Sequence, residues 1–257
     1  MFGNLLKQWR LNIAEMAHAR GDFPRAINNF SKLIESYNSA PGQEAWTWYL
    51  HRGLALRAVG KQQDALRDYQ KASALNPRSH KPHLNAALVL GQDLGQHDKA
   101  LIELKTAIQL KPDDVDSLMS LGLSYGALGD KSEAEKVFRK ALGVQPAHLL
   151  VLYNLGNLYL HSNRLAEAVH VFQQALVLNP HNQDQDVVRN LAVARLRKEV
   201  WERDAGKCVK CGSSNDIDFT FMGEDSVADP DRLRGRASDL QLLCAACKSS
   251  KKKSNVW

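Results

Sequence analysis

From residue 118 to 180 the apolar positions repeat one pattern. Leu118, Leu121, Gly122 and Tyr125 keep an i, i+3, i+4, i+7 spacing, which puts them on one face of a helix. Gly129 interrupts this helix. Ala134, Phe138, Ala141 and Leu142 then mark one side of a second helix, which Pro146 stops. Leu155, Gly156, Tyr159, Ala168, Phe172, Ala175 and Pro180 occupy the same places 34 residues later. A two-helix period of this length predicts a unit stacked on itself. The glycine and alanines would keep the helices close, and the aromatics would fill the space between neighbouring pairs.

The grid extends towards the N-terminus. Residues 7–40 form a first, drifted copy through Ala14, Gly21, Phe23, Ala26, Phe30 and Leu33, with Asn38 at the closing proline position. Trp9 and Ile13 are expected to pack inward from its first helix. A polar insert with Pro41-Gly42 reads as a loop. A second copy, residues 46–79, carries Tyr49, Gly53, Leu56, Gly60, Ala65, Tyr69, Ala72 and Pro77. Trp46 and Trp48 at its start either pack against the insert or edge a groove. A third copy, from 81 to about 111, carries Leu84, Ala87, Leu88, Gly95, Ala100, Leu104, Ala107 and Pro112. The step from Pro77 to Pro112 is 35 residues, so one extra residue is expected in the loop. Residues 183–204 supply a capping helix through Val187, Leu191, Ala194, Leu196 and Trp201.

These positions resemble the tetratricopeptide repeat (TPR) family. Its small residue falls on Gly122 and Gly156, its aromatic on Tyr125 and Tyr159, its second-helix alanine on Ala134 and Ala168, and its closing proline on Pro146 and Pro180. The resemblance implies an all-α solenoid of about five helix pairs over residues 7–182. It also implies a concave face, lined by the first helix of each pair, that takes a protein or peptide. On this pattern the peptide-binding candidates are Leu50, Leu54, Asn85, Leu123, Tyr153, Asn154 and Asn157. Asparagine amides suit a peptide main chain, because each offers donors and an acceptor. Val89 and Arg57 belong to the same expected face. It holds no lysine, which argues against a clamp for a terminal carboxylate.

Composition narrows the class. The chain has 257 residues and a net charge of +6, with 44% hydrophobic residues. No apolar run reaches the ~18 residues of a membrane span, so no membrane insertion is expected. Met1–Arg10 lacks a leader pattern, and a cytoplasmic location is expected.

All four cysteines lie between Cys208 and Cys247. Cys208-Val-Lys-Cys211 and Cys244-Ala-Ala-Cys247 are two CxxC pairs with 32 residues between them. Four thiolates form the closed tetrahedral shell of structural Zn2+; iron and redox pairing are the alternatives for the same ligands. Residues 195–253 also resemble the HNH endonuclease family with its zinc knuckles, through Trp201-Glu202-Arg203-Asp204, the cysteine frame, and Asp239-Leu240-Gln241-Leu242-Leu243-Cys244. The resemblance implies a small zinc-bound ββα module over 205–253. It places the metal ligand at Asp218, but Phe219 stands where the general base belongs, Asp239 at the central asparagine position and Lys248 at the last histidine position. Phenylalanine cannot take a proton. The module is therefore expected to be non-catalytic, with no catalytic residues and weak nucleic-acid contacts through Arg232, Arg234, Arg236, Lys248, Lys251, Lys252 and Lys253. The expected function is a protein-interaction scaffold or adaptor; the alternative is a nucleic-acid-binding protein or a metal-dependent HNH endonuclease.

Overall fold

The computed structural model describes residues 2–36, 44–178, 185–215, 217–221, 240–244 and 247. The chain divides into two compact units, Met1–Pro146 and Ala147–Trp257.

The first unit holds four antiparallel pairs: α1 (Phe2–Ala19) with α2 (Phe23–Ser36), α3 (Ala45–Ala58) with α4 (Gln62–Leu75), α5 (His80–Leu88) with α6 (His97–Leu110), and α7 (Val115–Ala127) with α8 (Lys131–Val144). Their closeness has one recurring cause. A Cβ on Gly53 would lie 2.6 Å from the Tyr69 ring, and one on Gly122 would lie 2.6 Å from the Phe138 ring. Each aromatic thus seats on the bare backbone of its own partner helix. Tyr69 also reaches the next pair, sharing a core with Ala86 and Val89. Turn geometry repeats as well: Gly60 and Gly129 have φ of +78° and +85°, where a side chain would be strained. Asp130 caps α8 by accepting from the Glu133 amide at 3.2 Å, and Asp114 caps α7 by accepting from Ser117 at 3.1 Å. Arg52 on α3 grips Asp68 on α4 through two 2.7 Å bonds and also donates to Ser31 on α2, tying two pairs together.

Two expectations fail here. The extra residue of the third copy is not in the loop. It sits in a π-helical turn, Val89–Asp93, continuous with α5, where the Leu94 amide donates to the Val89 carbonyl at 3.0 Å. Five-residue closure absorbs one residue without breaking the helix. Trp9 is not packed inward: it is 59% exposed, beside exposed Leu6 and Met16 on the same helix.

The second unit starts with a fifth pair, α9 (Leu149–His161) and α10 (Leu165–Leu178), built the same way: a Cβ on Gly156 would lie 2.5 Å from the Phe172 ring. Here Asn163 takes the turn glycine's place at φ +58°, a conformation asparagine tolerates. The long helix α11 (Gln185–Arg203) packs on α10 through its first half, burying Val187, Leu191 and Ala194. Its second half meets a two-stranded antiparallel hairpin, β1 (Ile217–Phe221) and β2 (Leu240–Cys244), in the register Ile217↔Cys244. Among the described residues no helix is long and apolar enough to cross a membrane.

Candidate binding face and candidate metal centre

The predicted face separates into core and surface. Leu50 belongs to the core: it is 4% exposed, in one cluster with Leu56, Ala65 and Tyr69. Val89 is fully buried in the same cluster. Both lie on the side of the first helix that meets other helices, so neither is a groove residue. Leu54 is half-buried and open to a cavity of about 570 Å³, with His18, Phe23, Arg57, Ala58, Gln62 and Asp93. Arg57 spans from α3 to the π-turn, pairing with Asp93 at 2.6 and 2.9 Å and donating to Gln92 at 3.1 Å. Sequence reading assigned Phe23 to packing and did not single out Asp93 or Gln62; for Asp93 the 35-residue step was a signal. Beside this cavity the His51 ring lies tilted against Phe30 and His18, with ring centroids 5.8 and 6.2 Å apart. Burial first, and then His18, lower its pKa. Asn85 donates one amide N–H to the Lys81 carbonyl of its own helix at 2.9 Å. Leu123 is exposed on α7.

In the second unit Tyr153, Asn154 and Asn157 share the half-buried face of α9. Asn157 is already engaged: its oxygen accepts from the Asn190 amide of α11 at 2.7 Å, and the same amide reaches the Tyr153 hydroxyl at 3.4 Å. The Tyr153 ring lies 6.4 Å from Phe172. Asn154 makes no hydrogen bond among the described residues. Asn190 is a participant that the sequence did not single out.

The four cysteines converge. Their sulfurs all lie within 4.8 Å of one another, and Cys211 and Cys244 are 3.7 Å apart. Tetrahedral zinc with Zn–S bonds of about 2.3 Å has its sulfurs about 3.8 Å apart, so the residues fit that group. Local geometry explains the convergence. Gly212, at φ +73°, closes the first knuckle by donating to the Cys208 carbonyl at 2.8 Å. The Cys208 amide returns to Ser213 at 2.8 Å, and Val209 donates to Leu242 at 3.1 Å, fastening the knuckle to β2. Cys244 ends β2. The thiols are electrostatically uneven. The Cys244 amide, with the Cys211 and Lys210 amides, brings Cys208 down to about 6 against the effect of burial. Contacts with Cys211 and Cys244 push Cys247 up to about 12. Four sulfurs this close together are an arrangement that a cation can bridge.

Of the positions matched to a nuclease centre, only Asp218 and Phe219 are among the described residues. Asp218 is exposed on β1, and its carboxylate accepts from the Phe219 amide at 2.8 Å. Phe219 packs with Val200, Trp201 and Leu242, under the Arg197 guanidinium 5.3 Å from its ring. Asp239, Lys248, Arg232, Arg234, Arg236, Lys251, Lys252 and Lys253 lie outside the described residues.

Stacked antiparallel helix pairs, with a glycine of the first helix under an aromatic of the second, define an α-helical repeat protein. The chain belongs to the tetratricopeptide repeat family. The profile described as "Tetratricopeptide repeat" matches residues 11–80 and 119–183, and that described as "TPR repeat" matches 93–129. Human aspartyl/asparaginyl beta-hydroxylase is 26% identical over 172 residues, covering 65% of this chain and 23% of that protein. The BBSome complex member BBS4 of Xenopus tropicalis is 31% identical over 131 residues, covering 51% of this chain and 25% of that protein. The chain thus spans about a quarter of the length of these relatives. Among solved structures, a tetratricopeptide repeat protein from Parabacteroides merdae superposes with a TM-score of 0.65 at 20% identity, over 77% of this chain and 75% of that one. YrrB, described as a TPR protein with an unusual peptide-binding site, superposes with a TM-score of 0.55 at 21% identity, over 70% of this chain and 88% of that one.

Proposed function

We propose that the chain is a protein-interaction scaffold. Its first-helix surfaces take peptide segments of partner proteins, and its C-terminal module is a non-catalytic fold held by structural zinc. The observation that carries the reading is the Asn154 amide, which has no hydrogen-bond partner among the described residues, beside Tyr153 on α9, on a repeat type whose relatives include a member of a multiprotein complex. Leu54 and Leu123 add apolar surface of the same kind in the first unit. A peptide main chain would pair with the Asn154 amide, and an apolar side chain would lie on the Tyr153 ring.

The test is a peptide library screened on the full chain, followed by measured affinities for the variant carrying Tyr153→Ala and Asn154→Ala. Helicity should be unchanged and affinity about tenfold weaker or more, the loss typical of a central contact. Equal affinity in both proteins would move the site elsewhere.

Zn2+ would be held by Cys208, Cys211, Cys244 and Cys247. A closed four-sulfur shell leaves no open position for substrate, so the ion would serve the fold. Elemental analysis should return about one zinc per chain. A folded module free of metal would refute this part. The packing of Phe219 supports the non-catalytic half of the reading. The side chain at the base position of the HNH-like pattern is part of an apolar core, and the Asp218 carboxylate is turned onto its own main chain.

A further inference from the structure

We infer that metal at the four cysteines governs the order of α11 and, through it, the closed end of the fifth repeat. The inference rests on the reading that these cysteines hold a metal. It starts from a division along one helix. The first half of α11 is a repeat cap: Val187, Leu191 and Ala194 are buried against α10, and Asn190 holds Asn157 and Tyr153 on α9. The second half has a different partner. Val200 is fully buried, and its cluster contains Leu242, Ile217 and Phe219 from the hairpin, with Leu196 and Trp201 from α11 itself. Among the described residues, none of α9 or α10 belongs to that cluster. The order of the second half therefore depends on the hairpin.

The hairpin in turn depends on the cysteines. Its strands are five residues each, and a two-stranded hairpin of that size is marginal in water on its own. Strand alternation sends two fully buried neighbours to opposite faces: Leu242 packs on α11, and Leu243 packs with Cys208 and Cys244. Cys247 and Ile217 complete the second cluster, so three of its five residues are metal-ligand candidates. Two bonds made by the Leu242 main chain fasten the layers together. The Leu242 amide donates to the Asp204 carboxylate just beyond α11, at 3.2 Å, and the Leu242 carbonyl accepts from Val209 inside the knuckle, at 3.1 Å. Gly206 closes the junction, since a Cβ there would lie 2.9 Å from the Trp201 ring. Without a cation the thiols lose their common partner and the hairpin loses one of its two faces. Val200 and Trp201 then meet water, and unwinding from that end reaches Asn190 because helix order is cooperative along the chain.

The experiment is hydrogen exchange, resolved by peptide mapping, on the intact chain as purified, after removal of metal by chelation, and after return of zinc. Metal content is measured at each stage. The expected result is exchange at least about tenfold faster across Leu196–Arg203 in the stripped protein, with a smaller rise over Gln185–Ala194, both reversed by zinc, and α3–α8 unchanged. Bound metal whose removal leaves α11 exchange unaltered would overturn the link while leaving the metal site intact. Faster exchange spread equally over α3–α8 would also overturn it, because global unfolding needs no path through α11. A protein that binds no metal at any stage would refute both the site and the link.

Discussion

Gly156→Ala tests the packing that positions the α9 face. The added methyl would stand 2.5 Å from the Phe172 ring, where carbon pairs settle at about 3.5–4.0 Å. The ring edge or α9 must therefore move by about 1 Å. Overpacking of this kind costs about 1–3 kcal/mol. Replacing a mid-helix glycine returns about 0.5–1 kcal/mol, so the net loss should be about 0–2.5 kcal/mol. The first pair sets Ala14 and Phe30 in one core, both fully buried, so the combination is costly rather than impossible. The third pair combines Ala87 with Leu104, which suggests the remedy. Phe172→Leu alone should cost about 1–2 kcal/mol by leaving space. Together the two changes should cost at least about 1 kcal/mol less than their sum. The assay is urea unfolding followed by circular dichroism on the wild type, both single variants and the double variant. Additivity within about 0.5 kcal/mol would refute the account, as would a stabilised Gly156→Ala.

Two tryptophans at equivalent places should behave oppositely. Trp48→Ala should destabilise by about 3–5 kcal/mol, because the ring is 1% exposed; thermal unfolding reads this directly. Trp9→Ser should shift stability by no more than about 0.5 kcal/mol, and its indole fluorescence should already report water in the native state.

The pair of tryptophans also shows where a repeat pattern is informative. Trp9 and Trp48 each stand five residues before the small residue of their helix, Ala14 and Gly53. The spacing identified both helices correctly. What differs is the neighbour: α2 packs on α3 and shares a core with Trp48, whereas Trp9 stays exposed. Exposure depends on what the adjacent unit supplies, and that is not encoded in the residue's own helix. Leu50 is the same lesson reversed. A first helix is apolar on two sides, one for its partner and one for its neighbour, and the pattern does not separate these from the open side. The π-turn is a third case. A 35-residue step announces an extra residue, but loop and π-turn absorb it equally well by count. Only the structure puts Asp93 opposite Arg57.

The cysteine frame was legible because four sulfurs serve one ion only if the chain returns to a single point, and two CxxC knuckles are a local way to make that return. The support around it was not legible, because it is made by ordinary apolar residues whose roles come from the strand's alternation. Leu242 and Leu243 are adjacent and chemically alike, yet one faces a helix and the other the thiols. Phe219 follows the same logic. Its identity alone removes a proton acceptor; its place beside Val200 gives the phenylalanine a positive role. The Phe219 contact is one of those that join β1 and β2 to α11. A polar side chain placed there would meet fully buried Val200 and Leu242 without a partner in this cluster, and would cost the packing between the strand pair and α11.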